Sequence, residues 1–181
     1  MYNLVVVDNT NKEQYRMGFV KTYQTVFAGE PYNEDWKENE VNIIFDDLTK
    51  DGSICVVALC NEDIVGFSGS LPLSECDQDV KNLISPVLGM SVFYNAELGV
   101  LPEHRGHGLA KQMVDQRVSI ARNNGFHYSI MRTTTNGSMS QSIYEKVGFE
   151  ILTGVEQIVS HERVGETNDS DKRIFLYKEL K

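Results

Sequence analysis

The sequence predicts one α/β domain with a mixed, mostly antiparallel sheet and helices on both faces, and three observations predict it. In the second half, β-rich runs alternate with helical periodicity, the pattern of at least one parallel crossover. In the first half, two β-rich runs, Ser53 to Cys60 and Ile64 to Leu71, meet at Asn61-Glu62-Asp63, a hairpin connection. Before them, Tyr15, Phe19, Tyr23 and Phe27 recur every four positions, an aromatic stripe on an amphipathic helix that reads first as core packing. The 181 residues suit a single domain spanning 1–181, and 41% hydrophobic with 24% charged residues supply a core without a disorder signature.

The elements follow in order. Leu4 to Val7 is β-branched and short, a strand closed by Asp8-Asn9-Thr10, whose Asn and Thr are expected to cap the helix from Glu13 to Phe27. Gly29-Glu30-Pro31 breaks that helix, and Asn33 to Leu48 reads as a second, with Val41, Ile44, Phe45 and Leu48 on one face. Residues 72–90, punctuated by Pro72 and Pro86, read as an insertion with a short helix over Asp77 to Ile84. Ser91 to Val100 is a strand. From Gly106 to Asn123, Leu109, Ala110, Met113, Val114, Val118 and Ala121 hold helical spacing. His127 to Thr134 is a strand, Met139 to Lys146 a short helix, and Phe149 onward returns to strands, with a polar loop over Ser160 to Asp171 and a last strand at Arg173 to Tyr177.

Charge and composition exclude several classes. Seventeen Lys+Arg against twenty-six Asp+Glu give a formal net charge of −9, which argues against a general nucleic-acid binder. Cys55, Cys60 and Cys76 cannot all pair within the chain, and no zinc spacing occurs. The longest apolar run is too short to cross a bilayer, and Met1-Tyr2-Asn3-Leu4 lacks the basic start and apolar stretch of a signal peptide. A soluble, cytoplasmic protein without nucleic-acid or membrane partners is expected.

The informative stretch is Leu98 to Ala110. A strand ends at Pro102, a charged turn follows, and Gly106 and Gly108 open a helix. Such a turn directs several backbone N–H groups toward one point at the positive end of a helix, where a phosphate or pyrophosphate binds; the alternative is a plain glycine-rich turn. The Rossmann pattern lacks its third glycine, because position 111 is Lys111, and the P-loop's Gly-Lys-Ser/Thr series is absent.

The Arg105-Gly-x-Gly-x-Ala110 core resembles motif A of the GNAT superfamily, the acetyl-CoA-dependent N-acetyltransferases, with Glu103 standing where that motif has Gln or Arg. A second segment, Asn136 to Phe149, ends in Ile143-Tyr144-Glu145-Lys146-Val147-Gly148-Phe149 and resembles the family's motif B. The resemblance spans Ile54 to Ile151; the flanks agree in element order only. It implies a GNAT fold, with the sheet splayed between the fourth and fifth strands.

The resemblance further implies that acetyl-CoA enters this splay. Val100 and Leu101 would supply main-chain contacts to pantetheine, Gly99 would sit at a bulge that creates the splay, and a strand amide near Leu98 to Val100 would be an oxyanion donor. The amides of Arg105, Gly106, His107, Gly108, Leu109 and Ala110 would hold the pyrophosphate. Either Asn136 or Ser138 would bond the cofactor's amide. Tyr144 matches the family's general acid toward the thiolate, its alternative being a packing role. Glu97 on the splayed strand is the candidate general base, its alternative an exposed carboxylate. His104 and His107 lie too close to the phosphate turn for a base and lack a third ligand, so no metal is expected.

Acceptor choice in the family rests on the first two helices and their connection. Here Glu30, Tyr32, Glu34 and Trp36 combine acid with aromatic faces, a mix suited to a small cationic amine, although acidic residues are also common in a helix's first turn. The implied reaction is direct attack by a primary amine on the acetyl group through a tetrahedral intermediate. Protein or peptide N-acetylation, and a non-catalytic acyl-CoA sensor on the same fold, stay open. So does a homodimer, for which no heptad pattern speaks.

Overall fold

Strand β2 (Ile54–Cys60) is buried along most of its length because helices cover both of its faces. Ile54, Val56 and Ala58 point to one helical layer, and Cys55 and Val57 to the other. The computed structural model describes residues 1–134, 138–161 and 169–181.

The described chain runs β1 (Tyr2–Val7), α1 (Lys12–Ala28), α2 (Glu38–Thr49), β2, β3 (Asp63–Pro72), a 3-10 turn (Leu73–Glu75), α3 (Gln78–Leu88), β4 (Val92–Val100), a second 3-10 turn (Pro102–His104), α4 (Leu109–Asn123), β5 (Tyr128–Thr134), α5 (Met139–Lys146), β6 (Glu150–His161) and β7 (Asp169–Glu179). One seven-stranded sheet has the order β1-β2-β3-β4-β5-β7-β6. Every pairing is antiparallel except β4 with β5, the parallel crossover that α4 completes.

Helices α1 and α2 pack through Phe19, Tyr23, Phe27, Val41, Phe45 and Leu48 onto one face of the first strands. Helix α3 covers the same face farther along, where Val80 and Ile84 meet Ile130 and Phe175. Helices α4 and α5 cover the opposite face, with Met113, Val114 and Tyr144 against Phe93, Met131 and Leu176. The region 72–90 is therefore a core-building helix rather than an appended insert, and α3 runs to Leu88 with Pro86 in its last turn.

Three local expectations change. The turn into α1 is held by Asp8 and Asn11, not by Asn9 and Thr10: Thr10 donates its amide and hydroxyl to Asp8 Oδ1, and Asp8 its amide to Asn11 Oδ1. Helix α2 starts at Glu38 rather than Asn33. The intervening chain instead folds back on α1, with Trp36 edge-on to Tyr23, Tyr32 edge-on to Phe27, and the Lys37 amide capped by Glu40. Finally, β6 and β7 pair as far as His161 with Asp169, so both ends of the expected polar loop are strand; residues 162–168 lie outside the described residues.

Candidate functional site

Strands β4 and β5 pair only from Val92↔Tyr128 to Asn95↔Met131, after which both continue, β4 to Val100 and β5 to Thr134. They part at that rung. On the other side of β4 the register slips by one residue: Ser70 faces Asn95 and Gly69 faces Glu97, which leaves Ala96 without a partner. The bulge is at Ala96, not Gly99. Tyr94 and Ala96 point to the α3 layer, and Glu97 then also points to the α1 face, where Tyr23 meets it. Leu98 and Val100 fall on the α4 side. One extra residue thus re-aims every side chain after it.

Gly99 has a packing reason. A Cβ there would lie 2.5 Å from Phe67 Cζ and 3.0 Å from Val26 Cγ1. Gly99→Ala is expected to cost about 1–3 kcal/mol of stability through overpacking, read as a lower urea midpoint at unchanged slope.

The main chain of β4 beyond the bulge has two sides. Leu101 donates its amide to the Val65 carbonyl (2.9 Å), and the Gly99 carbonyl faces Gly66 on β3. By the alternation of an extended strand, Leu98 and Val100 turn their main-chain groups into the gap. Leu101, expected beside Val100 in that role, is committed to β3. Arg105 Nε donates to the Val100 carbonyl (3.0 Å), and the Arg105 amide to the Pro102 carbonyl (3.2 Å), so this residue braces the turn.

The glycine turn is built as the spacing suggests. Gly106 (φ 81°) and Gly108 (φ 76°) are both left-handed, and a Cβ at Gly106 would meet nothing within 4 Å. The α4 ladder opens with the Gln112 amide on the Gly108 carbonyl, so the amides of Gly106, His107, Gly108, Leu109 and Ala110 precede it at the positive end of the helix. His104 Nδ1 hydrogen-bonds with Tyr2 Oη (3.0 Å), and the Tyr2 ring also packs on His107. Ser138 caps α5, its hydroxyl accepting from the Gln141 amide and pairing with Thr133. Asn136 lies outside the described residues.

Where β4 and β5 part, a buried polar chain crosses three strands and two helices. Asn95 Nδ2 donates to Ser129 Oγ (2.8 Å) and to the Ile130 carbonyl (2.7 Å), while its Oδ1 accepts from Ser70 Oγ (3.1 Å). Arg117, fully buried, donates through Nη1 to the Gly69 carbonyl (2.6 Å), Ser70 Oγ (2.9 Å) and the Glu97 carbonyl (3.0 Å). Its Nη2 donates to Tyr144 Oη at 2.7 Å. Tyr144 is 2% exposed and edge-on to Phe149. Burial raises its phenol above the ordinary range while Arg117 pulls it down, so the group stays protonated at neutral pH.

On the α1 side, Tyr23 donates to Glu97 Oε2 (3.3 Å). Burial pushes the Glu97 carboxyl up to about 7; the nearby Glu34 charge adds to the rise, while Tyr23, Arg117 and Arg132 oppose it. Glu34 accepts from Trp36 Nε1 (2.8 Å), and Gln24 holds the Trp36 carbonyl. Burial raises the Tyr32 phenol, and Arg105 and Ser140, the latter at the start of α5, oppose the rise, so the α1–α2 connection lies within electrostatic reach of both. Tyr32, Glu34 and Trp36 thus gather near Glu97. Glu30, within the break itself, is exposed.

Two functional candidates were missed in the sequence. Arg117 falls on the same helical face as Met113, Val114 and Ala121, and a charge interrupting an apolar stripe is the signal that marks it. Tyr23 was absorbed into the aromatic stripe, although a buried phenol needs a partner for its hydroxyl.

A sequence model of the acetyltransferase (GNAT) family matches residues 18–149. Rat N-acetyltransferase 8B is 27% identical over 137 residues, 73% of this chain and 57% of that protein. Human N-acetyltransferase 8 is 30% identical over 103 residues, 57% of this chain and 41% of that protein. The chain therefore spans about half the length of these curated relatives. Among solved structures, the ribosomal-protein-alanine N-acetyltransferase of Brucella melitensis superposes with a TM-score of 0.71 at 16% identity, covering 97% of this chain and 99% of that one. A Salmonella typhimurium structure solved with its cofactor acetyl-CoA gives 0.66 at 12% identity over 99% and 94%. These likenesses show the fold, and with the family match, the parted strands and the glycine turn they make one conclusion: the chain is a member of the acetyltransferase (GNAT) family.

Proposed function

We propose that this chain transfers an acetyl group from acetyl-CoA to the primary amine of a small, cationic acceptor. The observation that carries the reading is the convergence of Glu97 and Tyr144 where the strands part, with Arg117 hydrogen-bonded to the carbonyl of one and the hydroxyl of the other. The residues fit a coenzyme A thioester. The Leu98 main chain and the Val100 amide face the gap where an extended arm would lie, and the Gly106–Ala110 amides at the start of α4 would cradle an anion. When bound, acetyl-CoA supplies an activated acyl carbon and a thiol leaving group.

Glu97, half-ionised near pH 7, takes a proton from the incoming ammonium. Tyr144 holds a phenolic proton at Oη for the departing sulfur. The Leu98 or Val100 amide is the donor available to a developing oxyanion. Glu34, with Tyr32 and Trp36 beside it, favours a positively charged acceptor through charge and aromatic faces.

Thiol release from acetyl-CoA with pooled polyamines, aminoglycosides, amino acids and short peptides tests the reading. Release with a small cationic pool supports it; release with peptides alone replaces the acceptor class, and binding without release replaces the enzyme by a sensor. Glu34→Gln is expected to raise the acceptor KM about tenfold, with the acetyl-CoA KM unchanged, whereas Glu30→Gln leaves both constants unchanged. Steady-state kinetics with both substrates varied checks this, and an unmoved acceptor KM in Glu34→Gln removes the cationic preference.

A further inference from the structure

The buried polar chain at the strand junction holds a cation that the reaction as described does not use. Arg117 is fully buried, and its four hydrogen-bond partners are all neutral oxygens: two main-chain carbonyls and two hydroxyls. A guanidinium so placed is costly unless its partners gain from it. Three of the four contacts fix geometry. They join the Gly69 and Glu97 carbonyls, which face each other on one side of the β3–β4 register slip, to Ser70 on the other side, and through Ser70 to Asn95, the last residue of β4 paired with β5. The fourth contact is to the phenol. Because Nη2 occupies a lone pair of Tyr144 Oη, the hydroxyl hydrogen must point elsewhere, and no described acceptor takes it.

We propose that Arg117 is the positioning residue of the proton donor: it aims the Tyr144 O–H into the gap and shares the negative charge left on Oη when the proton departs. The inference rests on the reading of Tyr144 as donor to the leaving thiol. In the step, the Oη–H bond breaks, an S–H bond forms, and the phenolate remains hydrogen-bonded to Nη2. The acceptor's ammonium loses two protons over the reaction. One is matched by the proton delivered to sulfur, the phenolate is restored from water, and one proton is released to solvent in all. A cation is the suitable partner here because its hydrogen bond strengthens as Oη becomes charged, so it acts more on the transition state than on the resting enzyme.

The test is a double-mutant cycle of Arg117→Met with Tyr144→Phe, read in kcat, with acetyl-CoA affinity measured separately. Arg117→Met is expected to lower kcat at least tenfold in the native background, to shift acetyl-CoA affinity less than about threefold, and to have almost no further effect in the Tyr144→Phe background. Arg117→Lys, which keeps the charge, is expected to recover most of the lost kcat. If the methionine variant does not fold, the lysine variant is compared in the two backgrounds by the same criterion. Equal losses in both backgrounds would show that Arg117 only supports the fold, and overturn the proposal. A Tyr144→Phe enzyme with native kcat would overturn the donor reading itself and this inference with it; the two failures are told apart by that single mutant.

Discussion

Tyr144→Phe is expected to lower kcat about 100-fold while acetyl-CoA binds with an affinity within about threefold of native. The phenol is 2% exposed, stays protonated because burial raises its ionisation, and offers its hydrogen toward the gap because Arg117 occupies the oxygen from behind. Phenylalanine keeps the ring and its edge-on contact with Phe149 and removes the hydroxyl with its proton. The substitution also strips Arg117 Nη2 of a partner, so a stability loss of about 1–2 kcal/mol accompanies it, and the melting curve must be measured beside the kinetics to keep the two effects apart. A kcat within threefold of native would remove Tyr144 from the chemistry and leave it a packing residue.

Glu97→Gln is expected to have a comparable effect on kcat/KM at pH 8, with a change of shape as well as height. As a base the carboxyl must be ionised, so native kcat/KM rises with pH through about 7, the value to which burial pushes Glu97; the amide has no such ionisation, and its profile loses that acid limb. Stability moves the opposite way. The folded-state pKa lies above the unfolded value, so the folded chain binds this proton more tightly. Between about 4.5 and 7, rising pH therefore costs stability, and above that window the whole penalty is present. Glu97→Gln removes it. The variant is expected to be inactive but more resistant to urea at pH 8, with the gain fading toward pH 4.5. A native acid limb in the variant would assign the ionisation to another group.

The two candidates differ in how legible they were. Tyr144 stands in a local motif, seven consecutive residues of one short helix and turn, and such a segment keeps its meaning wherever the chain folds. The glycine turn is legible for the same reason: what sets it apart is backbone conformation, and Gly106 and Gly108 announce that conformation directly. Glu97 is legible only as a carboxylate on β4; its partners Tyr23 and Glu34 lie 74 and 63 positions away along the sequence, and the face it points to depends on a slip in strand register that no residue type marks. Ala96 looks like any strand alanine. The late start of α2 escaped because Asn33 to Glu38 is polar enough for a first helical turn; what overrode it is tertiary, the docking of Tyr32 and Trp36 on the aromatic stripe of α1. Arg117 shows the converse, a tertiary role visible in the local pattern as a misplaced charge.

The unpaired Ala96 gives the site a parity. A strand that alternates strictly can offer its even positions to one helix layer and its odd positions to the other, but not a hydrophobic contact at Phe93 toward α4 and a carboxylate at Glu97 toward α1. The odd residue changes the sign between them. Glu97 therefore reaches the α1 side by count: the same glutamate grafted onto an unbroken strand would face the α4 layer and meet an apolar wall instead of Tyr23 and Glu34. What can be inherited or transplanted as a unit is the run from Asn95 to Glu97, and within it a gain or loss of one residue exchanges the two sides of everything downstream.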